Sequence, residues 1–228
     1  SFNGQRCTAL KLLFVQRRIA EAFVQKLGEA VDALPFGMPW EKGVRITPMP
    51  EPGATEKMQG LVEDAIQKGA AVCNANGGLT NESFYFPSVV YPVKPEMLLY
   101  TVEQFGPVVP IAVFDEVSEV FDYIVNSNFG QQASIFGQDP KTIGPLIDVL
   151  ANQVCRINLN AQCQRGPDVY PFTGRKDSAE ATLSVSDALR CFSIRSMTAA
   201  PDSEMGKTLL SEILRDRTSN FVNTDYLF

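Results

Sequence analysis

Leu10-Lys11-Leu12-Leu13-Phe14-Val15 follows directly on Gly4-Gln5-Arg6-Cys7-Thr8-Ala9. The first stretch is an apolar run of strand length. Behind it Ile19, Phe23, Leu27, Val31 and Leu34 recur at helical spacing with Arg, Glu and Lys between them. An amphipathic helix is therefore expected over residues 17–34. A strand feeding a helix is the unit that sets the fold class, and it repeats. Pro35, Gly37 and Pro39 end the first helix, and residues 35–53 read as loop. A second helix is expected over 54–68, with Met58, Leu61, Val62, Ala65 and Ile66 on one face, and a short strand over 70–73. Phe84–Tyr91 is rich in β-formers, although Pro87 suggests an edge or a bulge. Strand, helix, strand, helix and strand follow at 108–114, 116–126, 133–136, 140–150 and 154–158. This alternation predicts an α/β fold with a largely parallel sheet flanked by helices. Residues 159–181 read as a polar loop, 192–199 as one more strand, and 202–216 as a helix. Tyr226-Leu227-Phe228 needs a groove or partner to bury it, unless it is an ordinary frayed terminus.

Composition narrows the function classes. The 228 residues carry a net charge of −6, which argues against a general nucleic-acid surface. A hydrophobic share of 45% and a charged share of 20% describe a globular chain able to bury a core. No apolar run reaches the ~18 residues of a membrane span. The N-terminus shows neither a charged n-region nor an apolar h-region, so no secretory signal is expected. Five cysteines, an odd number with no C-x-x-C pair, fit a reducing compartment, and a cytoplasmic location is expected. Histidine is absent. Cys-His and Ser-His-Asp catalysis within the chain are thereby excluded, and no metal site is expected.

Four loop stretches hold residue types suited to chemistry. Cys7 lies between Arg6 and an apolar strand, and a neighbouring guanidinium favours the reactive thiolate. Burial as a small core residue is the plainer reading of Cys7. Glu103-Gln104-Phe105-Gly106-Pro107-Val108 places a carboxylate and a ring just before a buried strand. Gln164-Arg165-Gly166-Pro167-Asp168 sets an arginine on a rigid turn, suited to phosphate or carboxylate. Pro171-Phe172-Thr173-Gly174 puts an aromatic between turn formers, where Phe172 could also plug a core.

Taken together these motifs resemble the C-terminal part of the aldehyde dehydrogenase superfamily. The shared stretches are Gly4–Ala9, Glu103–Val108, Asn128-Phe129-Gly130 before Ala133-Ser134-Ile135-Phe136, Ile157-Asn158 and Pro171–Gly174. The resemblance covers about residues 1–200. Arg6 beside the cysteine, with Gln164-Arg165-Gly166, makes the chain most similar to the non-phosphorylating, NADP-dependent glyceraldehyde-3-phosphate branch. The resemblance implies that Cys7 is the nucleophile and that its backbone N–H helps hold the oxyanion. It implies that Glu103 binds the nicotinamide ribose and that Phe105 packs near the nicotinamide. Arg6 and Arg165 would bind the substrate phosphate, and Phe172 would line the pocket. The implied cofactor is NADP, with NAD possible, and the implied substrate is a small phosphorylated aldehyde. A homo-oligomer joined through residues 192–200 is implied as well.

The chain also departs from the family pattern. Lys176-Asp177-Ser178-Ala179-Glu180 stands where Lys-x-Ser-Gly is usual, Gln153 replaces a glycine, and Gly130-Gln131 replaces Gly-Leu. Lost glycines remove positions that take positive φ cheaply, so altered loop geometry is expected. Family members are roughly twice as long. Their N-terminal half supplies the Rossmann-like cofactor domain, the general-base glutamate and the oxyanion asparagine. The expected organisation is a partial catalytic domain at 1–191, an oligomerisation strand at 192–200 and a helical extension at 201–228. The missing half would come from the rest of a longer protein or from a companion chain. Two alternatives stay open: a non-catalytic structural subunit that kept the fold, and an enzyme for a carboxylate-bearing semialdehyde.

Overall fold

The computed structural model describes residues 2–222. The chain divides into two compact units, Ser1–Ser184 and Val185–Phe228. The first is built on a four-stranded sheet. Its strands are β1 (Leu13–Gln16), β2 (Ala71–Val72), β5 (Ser88–Tyr91) and β6 (Val108–Phe114), ordered β1-β6-β5-β2. The hairpin of β3 (Thr80–Asn81) and β4 (Phe84–Tyr85) lies between β2 and β5 in sequence. β1 and β5 both run parallel to β6, while β2 is antiparallel to β5, so the sheet is mixed and largely parallel. Pro87 breaks the expected Phe84–Tyr91 run into β4 and β5. Pro110 sits inside the central strand β6, where it removes one ladder donor.

Two helices cover the two faces of this sheet. Successive strand residues point to opposite sides. Val89 packs with Val15, Ala20, Val24, Val31 and Ile111 beneath α1 (Arg17–Asp32). Val90 packs with Met58, Leu61, Val62, Ala65 and Val108 beneath α2 (Ala54–Gln67). The buried stripe of α1 differs from the expected one. Ala20, Val24, Gly28 and Val31 face the sheet, and Ile19 is 52% exposed. Small residues decide this: a Cβ on Gly28 would lie 3.1 Å from the Cys73 carbonyl, so the helix lies close along that side. Phe23, Leu27 and Leu34 pack at the margin of the same cluster. On α2 the expected face is buried except for Ile66. A short α3 (Leu98–Thr101) precedes β6.

The rest of the first unit is more open. It holds α4 (Val117–Asn126), β7 (Phe129–Gly130), β8 (Gln132–Ile135), α5 (Pro140–Leu150), β9 (Arg156–Leu159) and β10 (Arg175–Lys176). β8 and β9 form a separate parallel pair, and β7 pairs antiparallel with β10. A Glu116–Glu119 capping box starts α4, and Asp139 with Pro140 starts α5. No residue of α4 is buried, and of α5 only Leu150 is.

In the second unit, α6 (Val185–Cys191) and α7 (Glu204–Arg215) are the regular elements among the described residues. The Ser203 hydroxyl accepts from the Gly206 N–H at 3.1 Å and caps α7. Residues 192–199 were expected as a strand, yet they take part in no ladder among the described residues. A strand exists only with a partner, and none lies there among the described residues. Tyr226-Leu227-Phe228 lies outside the described residues. No helix among the described residues is long and apolar enough to cross a membrane.

Candidate active site

Cys7 is exposed on a turn that the Ala9 N–H closes by donating to the Arg6 carbonyl at 2.9 Å. Three devices hold this turn. Asn3, at φ 55, donates to the Thr47 carbonyl at 2.8 Å and accepts from the Thr47 N–H at 3.1 Å. Asparagine is among the few side chains that tolerate this left-handed backbone. Gly4, at φ 75, lies directly on the Gly106 backbone, and a Cβ there would overlap the Gly106 carbonyl. The third device is Gln104, which is fully buried. Its Nε2 donates to the carbonyls of Leu10 at 2.9 Å, Lys11 at 3.1 Å and Val108 at 3.1 Å. The Cys7 motif and the Glu103–Val108 motif are thus locked together. Parallel pairing of β1 with β6 puts both loops at the amino ends of the strands. Open α/β sheets ordinarily bind ligands at the carboxyl ends. Here a cavity of about 460 Å³ occupies that end, lined by Phe14, Arg17, Tyr91 and Tyr100 among others, and it includes none of the motif residues.

Glu103 and Phe105 are both exposed on the loop that packs against the Cys7 turn, Phe105 by 41% and at φ 46. A bulky residue in the left-handed region stores strain, which persists where the surroundings fix it. Gly106 supplies that constraint, since it packs against the Met58 side chain of α2. Lys11, a charge inside an apolar run, donates to the Leu99 carbonyl at 2.8 Å. Burial pushes its ammonium down to about 8, against the opposing pull of Glu103.

Arg165 and Phe172 form a second cluster on the loop after β9. The Arg165 guanidinium lies over the Phe172 ring at 5.5 Å, with Nε 3.7 Å from Asp168. Arg6 has a matching arrangement over Phe2, at 5.0 Å. Phe172 is buried, and both arginines are exposed. Among the described residues no hydrogen bond, ion pair or ring contact joins the Cys7–Glu103 cluster to the Arg165–Phe172 cluster.

Gln153 and Ala179, at the two positions that lack an expected glycine, both keep negative φ. Gly130 is retained where it is needed: a Cβ there would lie 2.8 Å from the Arg175 carbonyl. Lys176 takes φ 56 without being glycine, and its ammonium donates to the carbonyls of Ile124, Val125 and Ser127. Asn3, Thr47 and Lys11 support the site without standing out in the sequence. Their available signals were an Asn before Gly-Gln-Arg-Cys and a lysine in a buried run.

The pairing of an exposed cysteine turn with a Glu-x-Phe-Gly loop agrees with the match of residues 1–196 to the aldehyde dehydrogenase family model. The chain belongs to the aldehyde dehydrogenase family. It is similar to an NADP-dependent glyceraldehyde-3-phosphate dehydrogenase of Apium graveolens, 32% identical over 83% of this chain and 37% of that protein. It is also similar to a sulfoacetaldehyde dehydrogenase of Neptuniibacter caesariensis, 33% identical over 82% of this chain and 40% of that one. Among solved structures, an NADP-dependent glyceraldehyde-3-phosphate dehydrogenase from Bacillus halodurans in complex with NADP matches with a TM-score of 0.77. It is 34% identical and covers 83% of this chain and 39% of that one. This aldehyde dehydrogenase chain thus spans well under half the length of these relatives.

Proposed function

We propose that this chain is the cysteine-bearing part of an NADP-dependent aldehyde dehydrogenase that oxidises glyceraldehyde 3-phosphate to 3-phosphoglycerate. The observation that supports this best is the exposed Cys7 turn, held against the Glu103 loop by Gly4, Gly106 and Gln104. Named relatives acting on a phosphate-tailed and a sulfonate-tailed aldehyde support an anionic substrate tail. In the reaction the Cys7 sulfur adds to the aldehyde carbon as a thiolate, and the backbone N–H of Cys7 helps hold the oxyanion. NADP, when bound, would supply the hydride acceptor. Water then releases the acid from the Cys7 thioester. Glu103 offers a carboxylate to ribose hydroxyls and Phe105 an exposed ring face to the nicotinamide, so the donor set fits the cofactor. Arg6 and Arg165, each laid over a phenylalanine, fit a phosphate dianion. The base glutamate, the oxyanion asparagine and the cofactor domain of family members would come from the rest of a longer protein or from a companion chain.

A second reading keeps the chemistry and changes the tail to a sulfonate or carboxylate, as the sulfoacetaldehyde relative suggests. We also read residues 192–200 as the strand that joins copies of the chain, supported by the exposure of Phe192 and Ile194. Five free cysteines support a reducing, cytoplasmic setting. The test of the function is NADP reduction by the complete protein and its Cys7→Ser variant. Loss of at least about a thousandfold in kcat is expected on removing the nucleophile. Equal rates in the two proteins would defeat the assignment. Faster turnover of sulfoacetaldehyde or succinic semialdehyde than of the phosphorylated aldehyde would select the second reading.

A further inference from the structure

Arg156 begins β9 and sits opposite Gln132 of β8 in the parallel register. Its guanidinium reaches the loop that holds Arg165. Nη1 donates to three consecutive carbonyls: Gln164 at 3.0 Å, Arg165 at 3.4 Å and Gly166 at 2.8 Å. Nε donates to Asn158 Oδ1 at 2.9 Å, which fixes the plane of the group. Gln132 holds the same loop from the neighbouring strand. Its Nε2 donates to the Gln164 carbonyl at 2.9 Å, and its Oε1 accepts the Gln164 N–H at 3.1 Å. Asn158 Nδ2 in turn donates to Gln132 Oε1 and to the Ala133 carbonyl.

This arrangement sorts the loop's dipoles. The peptide bonds after Gln164 and Arg165 are trans, so each carbonyl is antiparallel to the next N–H. Collecting the two carbonyls on Arg156 turns the N–H groups of Arg165 and Gly166 the other way. Neither N–H donates to an acceptor among the described residues, and Pro167 has none to offer. Two successive free N–H groups make a concavity suited to an anion. The negative ends of three carbonyl dipoles are meanwhile kept on the cationic side.

We propose that Arg156 is a positioning residue for the anionic tail of the substrate. It gathers the carbonyls of residues 164–166 so that the Arg165 and Gly166 N–H groups join the Arg165 guanidinium in holding the tail. The proposal rests on the reading of Arg165 as a tail ligand. Arg156 does not touch the substrate and acts through the loop alone.

The experiment measures kcat and KM of the complete protein with glyceraldehyde 3-phosphate and with unphosphorylated glyceraldehyde. Wild type is compared with Arg156→Gln, Arg156→Lys and Arg165→Ala. Arg156→Gln is expected to raise KM for the phosphorylated aldehyde roughly tenfold, since small misplacements of a binding group are costly. KM for glyceraldehyde and kcat should stay within about twofold, a split that general loss of structure would not produce. Arg156→Lys, which keeps donors for the carbonyls, should recover part of the loss. If Arg165→Ala raises the phosphorylated KM and Arg156→Gln does not, positioning by Arg156 is overturned while the proposed function stands. If neither variant moves it, the tail reading itself fails. Equal rises with both aldehydes would also overturn the proposal. Should Arg156→Gln not fold, Gln132→Ala removes the second hold on the loop, and the same selective rise is required of it.

Discussion

The Cys7 turn and the Arg165 loop are held by opposite means. Backbone lies on backbone at Gly4 and Gly106, and a buried amide, Gln104, staples the two motif loops to the strands beneath them. That region rests on a sheet with a hydrophobic cluster on each face. The Arg165 loop is tied instead by the polar side chains of Arg156 and Gln132, above a strand pair whose helices bury almost nothing. The contrast suits the two tasks proposed for these regions. A nucleophile must be placed to a fraction of an ångström, whereas an anionic tail is attracted over a longer range by charge. Close packing serves the first task, and adjustable donors serve the second.

Substitutions in the two regions should differ widely in effect. Gly4→Ala should have the largest effect on stability, about 3 kcal/mol, from a strained φ plus overlap with the Gly106 carbonyl. A thermal midpoint near wild type would show that the two loops are not in fixed contact. Gln104→Leu keeps the volume but takes a donor from three carbonyls, and denaturant titration should show a loss of about 2 kcal/mol. The orphaned Oε1 of Gln104 disappears in the same variant, which limits the loss.

Lys11 makes the closely packed region sensitive to pH. Its folded value of about 8 lies below the ordinary lysine value. Between the two, the unfolded chain binds a proton that the folded chain has released. Stability should therefore rise with pH across that window, and the contribution is absent below pH 8, where both states are protonated. Tyrosines raised by burial, such as Tyr85 and Tyr123, act in the opposite sense above their ordinary value. Subtracting the Lys11→Met curve isolates the lysine. Wild type should gain about 1–2 kcal/mol on the variant between pH 8 and 10, allowing for partial exposure. A flat difference would mean that Lys11 stays charged throughout. Gly166→Ala closes the series with the smallest change, under about 0.5 kcal/mol in denaturant titration, because a Cβ there meets nothing within 4 Å. A large loss there would mean that the Arg165 loop is packed as tightly as the Cys7 turn.

Strand and helix order was legible because apolar period follows backbone geometry: β6 and α5 fall on the expected residues. The face of α1 was legible only approximately. Ile19 and Ala20 are adjacent in sequence, and nothing in the period says that the small residue takes the sheet. Cys7, Glu103, Phe105, Arg165 and Phe172 could be singled out because their residue types stand out in loops. Arg156 and Gln132 could not, since each is an ordinary polar residue until β8 pairs with β9 and the loop folds back.

What the sequence determines by itself is local: the alternation of periods, the absence of histidine, and the presence of a cysteine, a carboxylate and two arginines in turn-rich stretches. Tertiary structure decides which of these meet. Parallel pairing of β1 with β6 sets Cys7's turn beside Glu103's loop at the amino end of the sheet, across almost a hundred residues of chain. The φ values at Gly4 and Phe105, the burial of Gln104 and the reach of Arg156 all follow from that pairing and from β8 against β9. Each depends on a partner distant in sequence, and pattern within a short window holds no record of such partners.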